Sequence, residues 1–79
     1  MAGLTYVGDT RSLVNYALAN GASRRRIAAA LHLPIHYVTG GGHILRRAFS
    51  VAEIESLKAL LGGVSDQDLI DNTGMQLLP

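Results

Sequence analysis

The sequence lacks several features that would assign it to a compartment or a common class of site. It contains no cysteine, which excludes disulfides and thiolate metal sites and agrees with a reducing compartment. No stretch approaches the roughly 18 consecutive apolar residues of a membrane-spanning helix. The N-terminus has no basic region followed by an apolar run, which is the pattern of a signal peptide. We therefore expect a cytoplasmic protein that has no membrane partner.

The sequence also lacks a recognisable set of catalytic or cofactor-binding residues. His32 and His36 are four residues apart, a spacing that suits a metal site on one face of a helix. Pro34 interrupts such a helix, however, and neither an acidic residue nor a cysteine lies between residues 10 and 50 to complete a site with these histidines and His43. We therefore expect a protein that is not an enzyme and that holds no metal or cofactor.

Charge is unevenly divided along the chain, although the net charge is only +1. Residues 1–50 hold six arginines and one aspartate, whereas residues 51–79 hold one lysine and five acidic residues. This division indicates a basic face that could bind a polyanion or an acidic partner. A small protein can also divide its charge unevenly without function, and the isoelectric point near 8.2 lies below the value of about 9 common in domains that bind DNA alone.

Apolar residues at helical spacing predict five short helices and no strand. Capping residues precede four of them, at Asp9 or Thr10, Ser23, Ser50 and Ser65, and Ser50 with Glu53 forms the pattern of a capping box. The predicted helices span about residues 10–20, 24–31, 35–40, 51–61 and 66–72, and a helical pattern resumes briefly at 43–47. The expected fold class is therefore all-α, with residues 1–79 forming one domain and residues 1–8 and 74–79 as termini that can be flexible. We expect the apolar tail to dock on the core rather than serve as a hook for a partner.

The stretch from Ala22 to Val38 is predicted to form the centre of this domain. It contains a capping serine, three arginines, a short apolar helix, a turn at residues 32–34 and a second short segment. The apolar positions are Ile27, Ala28, Leu31, Leu33 and Val38. They resemble the IAxxLxL…V pattern of small bacterial and phage helix-turn-helix transcription regulators, over about 25 residues. Ala28 stands where a small residue lets the two helices of the motif cross closely.

Two features depart from that pattern. His32 occupies the turn position at which such motifs usually have glycine, so the turn must accommodate a side chain. Three glycines at 40–42 shorten the second helix, because each costs about 1 kcal/mol relative to alanine inside a helix. The same glycines are not followed by the Gly-Lys-Ser/Thr of a phosphate-binding loop.

The resemblance implies a transcription regulator that binds duplex DNA, as a homodimer because one short helix reads too few bases. The residues expected to contact phosphates at the start of the motif are Ser23, Arg24 and Arg25. The residues expected to project toward base edges are His36, Tyr37 and Thr39. Arg46 and Arg47 are expected to grip the flanking backbone.

The alternative is a protein partner. A degenerate helix-turn-helix can dock on a larger transcription regulator, and small proteins of this kind act as antiactivators or adaptors without binding DNA. The run SxRxIAxAL is similar to helix-turn-helix-like domains in regulators of mobile conjugative elements. In that interpretation Glu53, Glu55 and the acidic end matter as much as the arginines. A third interpretation is a structural subunit with a broad apolar patch.

Overall fold

A computed structural model of the chain describes residues 5–38 and 46–78. In chain order the elements are β1 (Thr5–Asp9), α1 (Thr10–Ala19), α2 (Arg24–Leu31), a 3₁₀ helix (Ile35–Tyr37), β2 (Arg46–Phe49), α3 (Val51–Leu60), α4 (Asp66–Thr73) and β3 (Gln76–Leu78). The protein is therefore mixed α/β, with four α-helices and one three-stranded antiparallel sheet among these residues. The prediction of an all-α fold with five helices was wrong.

Four of the predicted helices are confirmed, and each begins at the capping residue that the sequence indicates. Asp9, Ser23 and Ser65 accept hydrogen bonds from backbone amides in the first turns of α1, α2 and α4. Before α3, the Ser50 hydroxyl accepts from the amide of Glu53 at 3.1 Å, and the Glu53 carboxylate accepts from the amide of Ser50 at 2.9 Å. This reciprocal capping box explains why the local sequence was sufficient to place α3.

The remaining helical predictions fail in the described residues. The segment predicted as a helix over 35–40 forms only one 3₁₀ turn at Ile35–Tyr37, and residues 39 and 40 lie outside the described residues. The brief helical pattern at 43–47 is wrong at its end, because residues 46 and 47 begin β2. Residues 43–45 also lie outside the described residues.

The sheet has the order β2-β1-β3, and both neighbours of β1 are antiparallel to it. Tyr6 lies opposite Phe49 of β2 and opposite Leu77 of β3. The sequence did not reveal these strands because they contain only five, four and three residues. Strands of that length carry little periodic signal, and each pairing joins segments that are far apart in the chain.

The core lies between the helices and one face of the sheet. Its fully buried larger side chains are Leu13, Ile27, Leu31, Phe49, Ile54, Leu57, Leu69 and Met75. A Cβ atom placed on Gly8 of β1 would lie 3.2 Å from the terminal methyl of Met75, so glycine gives this side chain its space. Burial of Met75 and pairing of β3 with β1 confirm that the tail docks on the core.

A polar cluster joins α3, α4 and β1, and we call it the lysine cluster. The Lys58 ammonium donates to Asp66 at 2.6 Å and to Glu55 at 2.8 Å, and the Tyr6 hydroxyl donates to Asp66 at 3.0 Å. The hydrogen bond from Lys58 holds the pKa of Asp66 below its ordinary value, against an opposing effect of burial. Hydrogen bonds to the two carboxylates raise the pKa of Lys58, so Lys58 and Asp66 are both charged at neutral pH.

Within residues 5–38 and 46–78, none of the helices combines the length and the hydrophobicity that crossing a membrane requires.

Candidate functional site: helix α2 and the turn after it

The candidate site is the segment Ser23–Val38, which comprises α2, the turn after it and the 3₁₀ helix; we call it the corner. The Ser23 hydroxyl accepts from the amide of Arg26 at 3.2 Å and so caps α2. The apolar side of α2 is buried and packs mainly against α3. Its opposite side presents the arginines at 24–26, all exposed to solvent. The first half of the motif therefore has the form that the sequence predicts.

The turn of the corner is built on His32, which adopts the left-handed conformation (φ 54°, ψ 42°). The amide of Leu33 donates to the carbonyl of Ala28 at 2.9 Å, and the amide of His32 donates to the carbonyl of Ala29 at 3.4 Å. These two bonds form a Schellman motif, which normally uses glycine at this position. A side chain in this conformation costs about 1 kcal/mol, so neighbouring contacts must hold the turn.

Glu53 of α3 supplies such a contact. Its Oε2 atom lies 3.0 Å from Nδ1 of His32, while its Oε1 atom accepts from the amide of Ser50. The Glu53 side chain is 11% exposed and that of His32 is 75% exposed, so a buried carboxylate anchors an exposed ring. We call this contact the corner link. The capping box predicted the role of Glu53 at the start of α3, but no sequence signal joins it to a histidine 21 residues away.

The ionised state of the Glu53 carboxylate favours this link. Burial acts to raise the pKa of Glu53, but the hydrogen bonds from Ser50 and His32, together with the nearby charge of Arg47, outweigh burial and lower that pKa. The carboxylate is therefore ionised at neutral pH and accepts from Nδ1 of the imidazole. The first turn of α3 thus sets the position of the chain that follows α2.

Beyond the turn, the chain presents an apolar side chain to solvent. Pro34 is extended (φ −59°, ψ 145°), and the 3₁₀ helix begins after it with Ile35, which is 49% exposed. Helical spacing over residues 35–40 predicts that Ile35 and Val38 both face inward. The structure buries Val38 but exposes Ile35, so the prediction is wrong for Ile35. The extended proline redirects the chain, so that Leu33 and Val38 fill the core instead. A proline that precedes a one-turn helix is the only signal that could have indicated this.

The residues predicted to read bases are only partly brought together. The rings of His36 and Tyr37 make an edge-on contact with centroids 4.7 Å apart, and His36 is exposed while Tyr37 is partly buried. Thr39 lies outside the described residues.

The arginines predicted to contact a backbone are separated. Arg46 and Arg47 are neighbours on β2, so their side chains point to opposite faces of the sheet. Arg46 donates to the Gln76 side chain of β3 at 3.1 Å, whereas the Arg47 guanidinium lies 5.0 Å from the ring centroid of Phe49. Arg46 and Arg47 therefore lie on different faces of the sheet and have different partners. Arg24 and Arg25 lie at the first turn of α2. This helix is about 12 Å long, so they are at the end opposite the turn that follows it.

A second exposed apolar residue lies close along the chain to the corner link. Val51 is 40% exposed at the first position of α3, two residues before Glu53, and Ile35 comes three residues after His32. Among the described residues, no group of three or more histidine, aspartate or glutamate side chains is arranged to hold a metal. The exposed side chains at this part of the chain offer apolar and hydrogen-bonding contacts.

No protein-family model matches the chain, and comparisons with curated proteins and with solved structures found no significant match.

Proposed function

We propose that this protein is a small regulatory protein, an antiactivator or adaptor, that binds a larger transcription regulator through the corner. The observation that carries the proposal is the exposure of Ile35 at the start of the segment that a DNA-binding relative would insert into the major groove. An isoleucine offers base edges no hydrogen bond and can contact only a thymine methyl group. Apolar side chains are, by contrast, the usual centre of a protein interface.

The size of the presented element also supports a protein partner. The 3₁₀ helix has three residues, which span about 6 Å at 2 Å per residue. This is less than the length of two base-pair steps, at about 3.4 Å each along a strand. The described part of the second element is therefore short for reading a sequence, but it suffices to place one or two side chains in a protein pocket.

The corner link supports the proposal through preorganisation. Binding is weakened when a segment must be ordered on contact. The Schellman motif and the bond between His32 and Glu53 hold the turn before any partner arrives. Ile35 therefore follows a turn whose conformation is set by α3 as well as by α2.

A pairwise interaction assay tests this proposal. The full chain is measured by two-hybrid signal against each transcription regulator encoded by the same genome, followed by titration of the purified pair. We expect one regulator to bind, and Ile35→Asp to weaken that binding by about tenfold or more. The matched control is Asn15→Asp, which places the same charge at an exposed position of α1. Absence of any binding regulator, or binding that survives Ile35→Asp, contradicts the proposal.

A second candidate function is DNA binding through the start of α2. Arg24, Arg25 and Arg26 are exposed, and none of them forms an ion pair with another described residue. The free amides at a helix N-terminus and adjacent arginines favour phosphate. This arrangement supports nonspecific contact with a polyanion.

Fluorescence anisotropy with a mixed-sequence labelled duplex, at low and moderate salt, tests this candidate. DNA binding predicts salt-sensitive association that is lost in Arg24→Ala/Arg25→Ala and kept in Ile35→Asp. No association even at low salt rejects it.

A further inference from the structure

The two edges of the sheet differ in charge. β1 is central, so β2 and β3 are edge strands, and within the described residues each leaves one side unpaired. The β2 edge carries two arginines among its four residues. The β3 edge has the sequence Gln-Leu-Leu, has no charge, and is exposed along its length. Charged side chains protect an edge strand from pairing with another chain, so only β2 has this protection.

We propose that a second copy of this chain pairs with the β3 edge. The two β3 strands lie antiparallel about a two-fold axis and form a six-stranded sheet in the order β2-β1-β3-β3-β1-β2. Centring the axis on Leu77 places it opposite its own copy and places Gln76 opposite Leu78. No like charges meet along this seam, whereas the same pairing at β2 would bring four arginines together. Charge thus permits a second copy at β3 and disfavours it at β2.

Contacts with the rest of the fold hold β3 ready for pairing. Met75, directly before the strand, is 1% exposed, and Gln76 accepts from Arg46 of β2 at 3.1 Å. The start of β3 is therefore held by the burial of Met75 and by the hydrogen bond from Arg46 of β2. An edge that is already extended requires little further ordering when another strand is added.

The proposed seam pairs Leu77 with its own copy on one face of the sheet and Leu78 with Gln76 on the other. Leu77 lies opposite Tyr6, on the face of the sheet that carries the helices, and is 37% exposed. Leu78 lies opposite Thr5 on the other face and is 43% exposed. Three residues bury less than the roughly 800 Å² per partner of a standard stable interface. The expected dimer is therefore reversible and depends on concentration.

Sedimentation velocity of the full chain over a concentration series tests this pairing. We expect a monomer–dimer equilibrium in which Leu77→Lys shifts the population to monomer, because it places two like charges at the seam. The matched control is Val51→Lys, which adds the same charge at a similarly exposed position on α3 and should leave the dimer intact. Far-ultraviolet circular dichroism checks that both variants fold.

A crosslink gives a second measurement, which does not depend on whether the fold tolerates lysine at position 77. The sequence has no cysteine, so Leu77→Cys introduces a single thiol in each chain. Opposite residues of antiparallel strands lie within the Cα distance of a disulfide, so mild oxidation should give a covalent dimer. Val51→Cys should crosslink much more slowly at equal concentration.

A chain that stays monomeric at every concentration overturns the proposal. A dimer that Leu77→Lys leaves unchanged and that Leu77→Cys does not crosslink also overturns it. So does a dimer that Val51→Lys disrupts as strongly as Leu77→Lys. The last result would place the interface at the start of α3, where Val51 lies. Because β3 is not part of the corner, failure of this test leaves the proposed function standing.

Discussion

Two polar contacts join elements that are distant in the chain, and they differ in how much water reaches them. In the lysine cluster, the cation is the shielded group: the Lys58 side chain is 15% exposed and donates to two carboxylates, one of which also accepts from Tyr6. In the corner link, the shielded group is a carboxylate, and its partner His32 is 75% exposed. The first contact holds helices and sheet together inside the fold. The second sets the shape of a surface that can bind a partner.

Removing the charge of Lys58 should have the largest effect on stability. Lys58→Met keeps the aliphatic stem but leaves Asp66 and Glu55 close together without a cation. We expect a loss of about 1–2 kcal/mol, which is less than for a fully buried pair because both carboxylates are partly solvated. Urea unfolding at neutral pH measures the change. Asp68→Asn, at an exposed site of α4, is the control, and an equal loss there would contradict the role of the cluster.

Acidification should weaken both contacts. The pKa values of Asp66 and Glu53 are lower in the folded protein than the ordinary carboxyl values. The two carboxylates therefore stabilise the fold in full above about pH 5, and this stabilisation is lost as the pH falls through the pKa values of the folded state. Unfolding free energies measured from neutral to acidic pH should decrease over this range. The decrease should be smaller in Asp66→Asn, and an identical pH profile would contradict the assignment.

Neutralising Glu53 should change the corner more than the stability of the fold. Glu53→Gln keeps the volume and can still accept from Ser50, so we expect a loss of about 1 kcal/mol or less. The ring resonances of His32 should shift in NMR spectra because its anionic partner is lost. Glu55→Gln is the matched control, since it affects the lysine cluster, and it should leave those resonances in place. Equal shifts in both variants would erase the distinction between the two contacts.

Replacing His32 with glycine should have the smallest effect on stability. Glycine removes the cost of the left-handed conformation but also removes the corner link and increases the freedom of the unfolded chain. These effects oppose each other, so the unfolding free energy should change by less than about 0.5 kcal/mol. A loss well above that, measured by urea unfolding, would show that the corner link supports the fold as strongly as the lysine cluster does.

What the sequence by itself determined is local. The starts of four helices follow from Asp9, Ser23, Ser50 and Ser65, because a cap and its target amides lie within three residues of each other. The end of α2 before Pro34 follows from the same short-range rules, whereas the burial of Leu33 was expected from the resemblance to helix-turn-helix motifs. The part of the corner that α2 forms was predictable for this reason.

Only the tertiary structure decided the sheet, the corner link and the exposure of Ile35. Strands of three to five residues are stabilised by partners far away in the chain, as Tyr6 is by Phe49 and Leu77. Glu53 meets His32 because α3 packs against α2, and Ile35 is exposed because Leu33 and Val38 occupy the core beside it. Such contacts depend on which segments meet in space, and the periodicity and capping of a single segment carry no information about that.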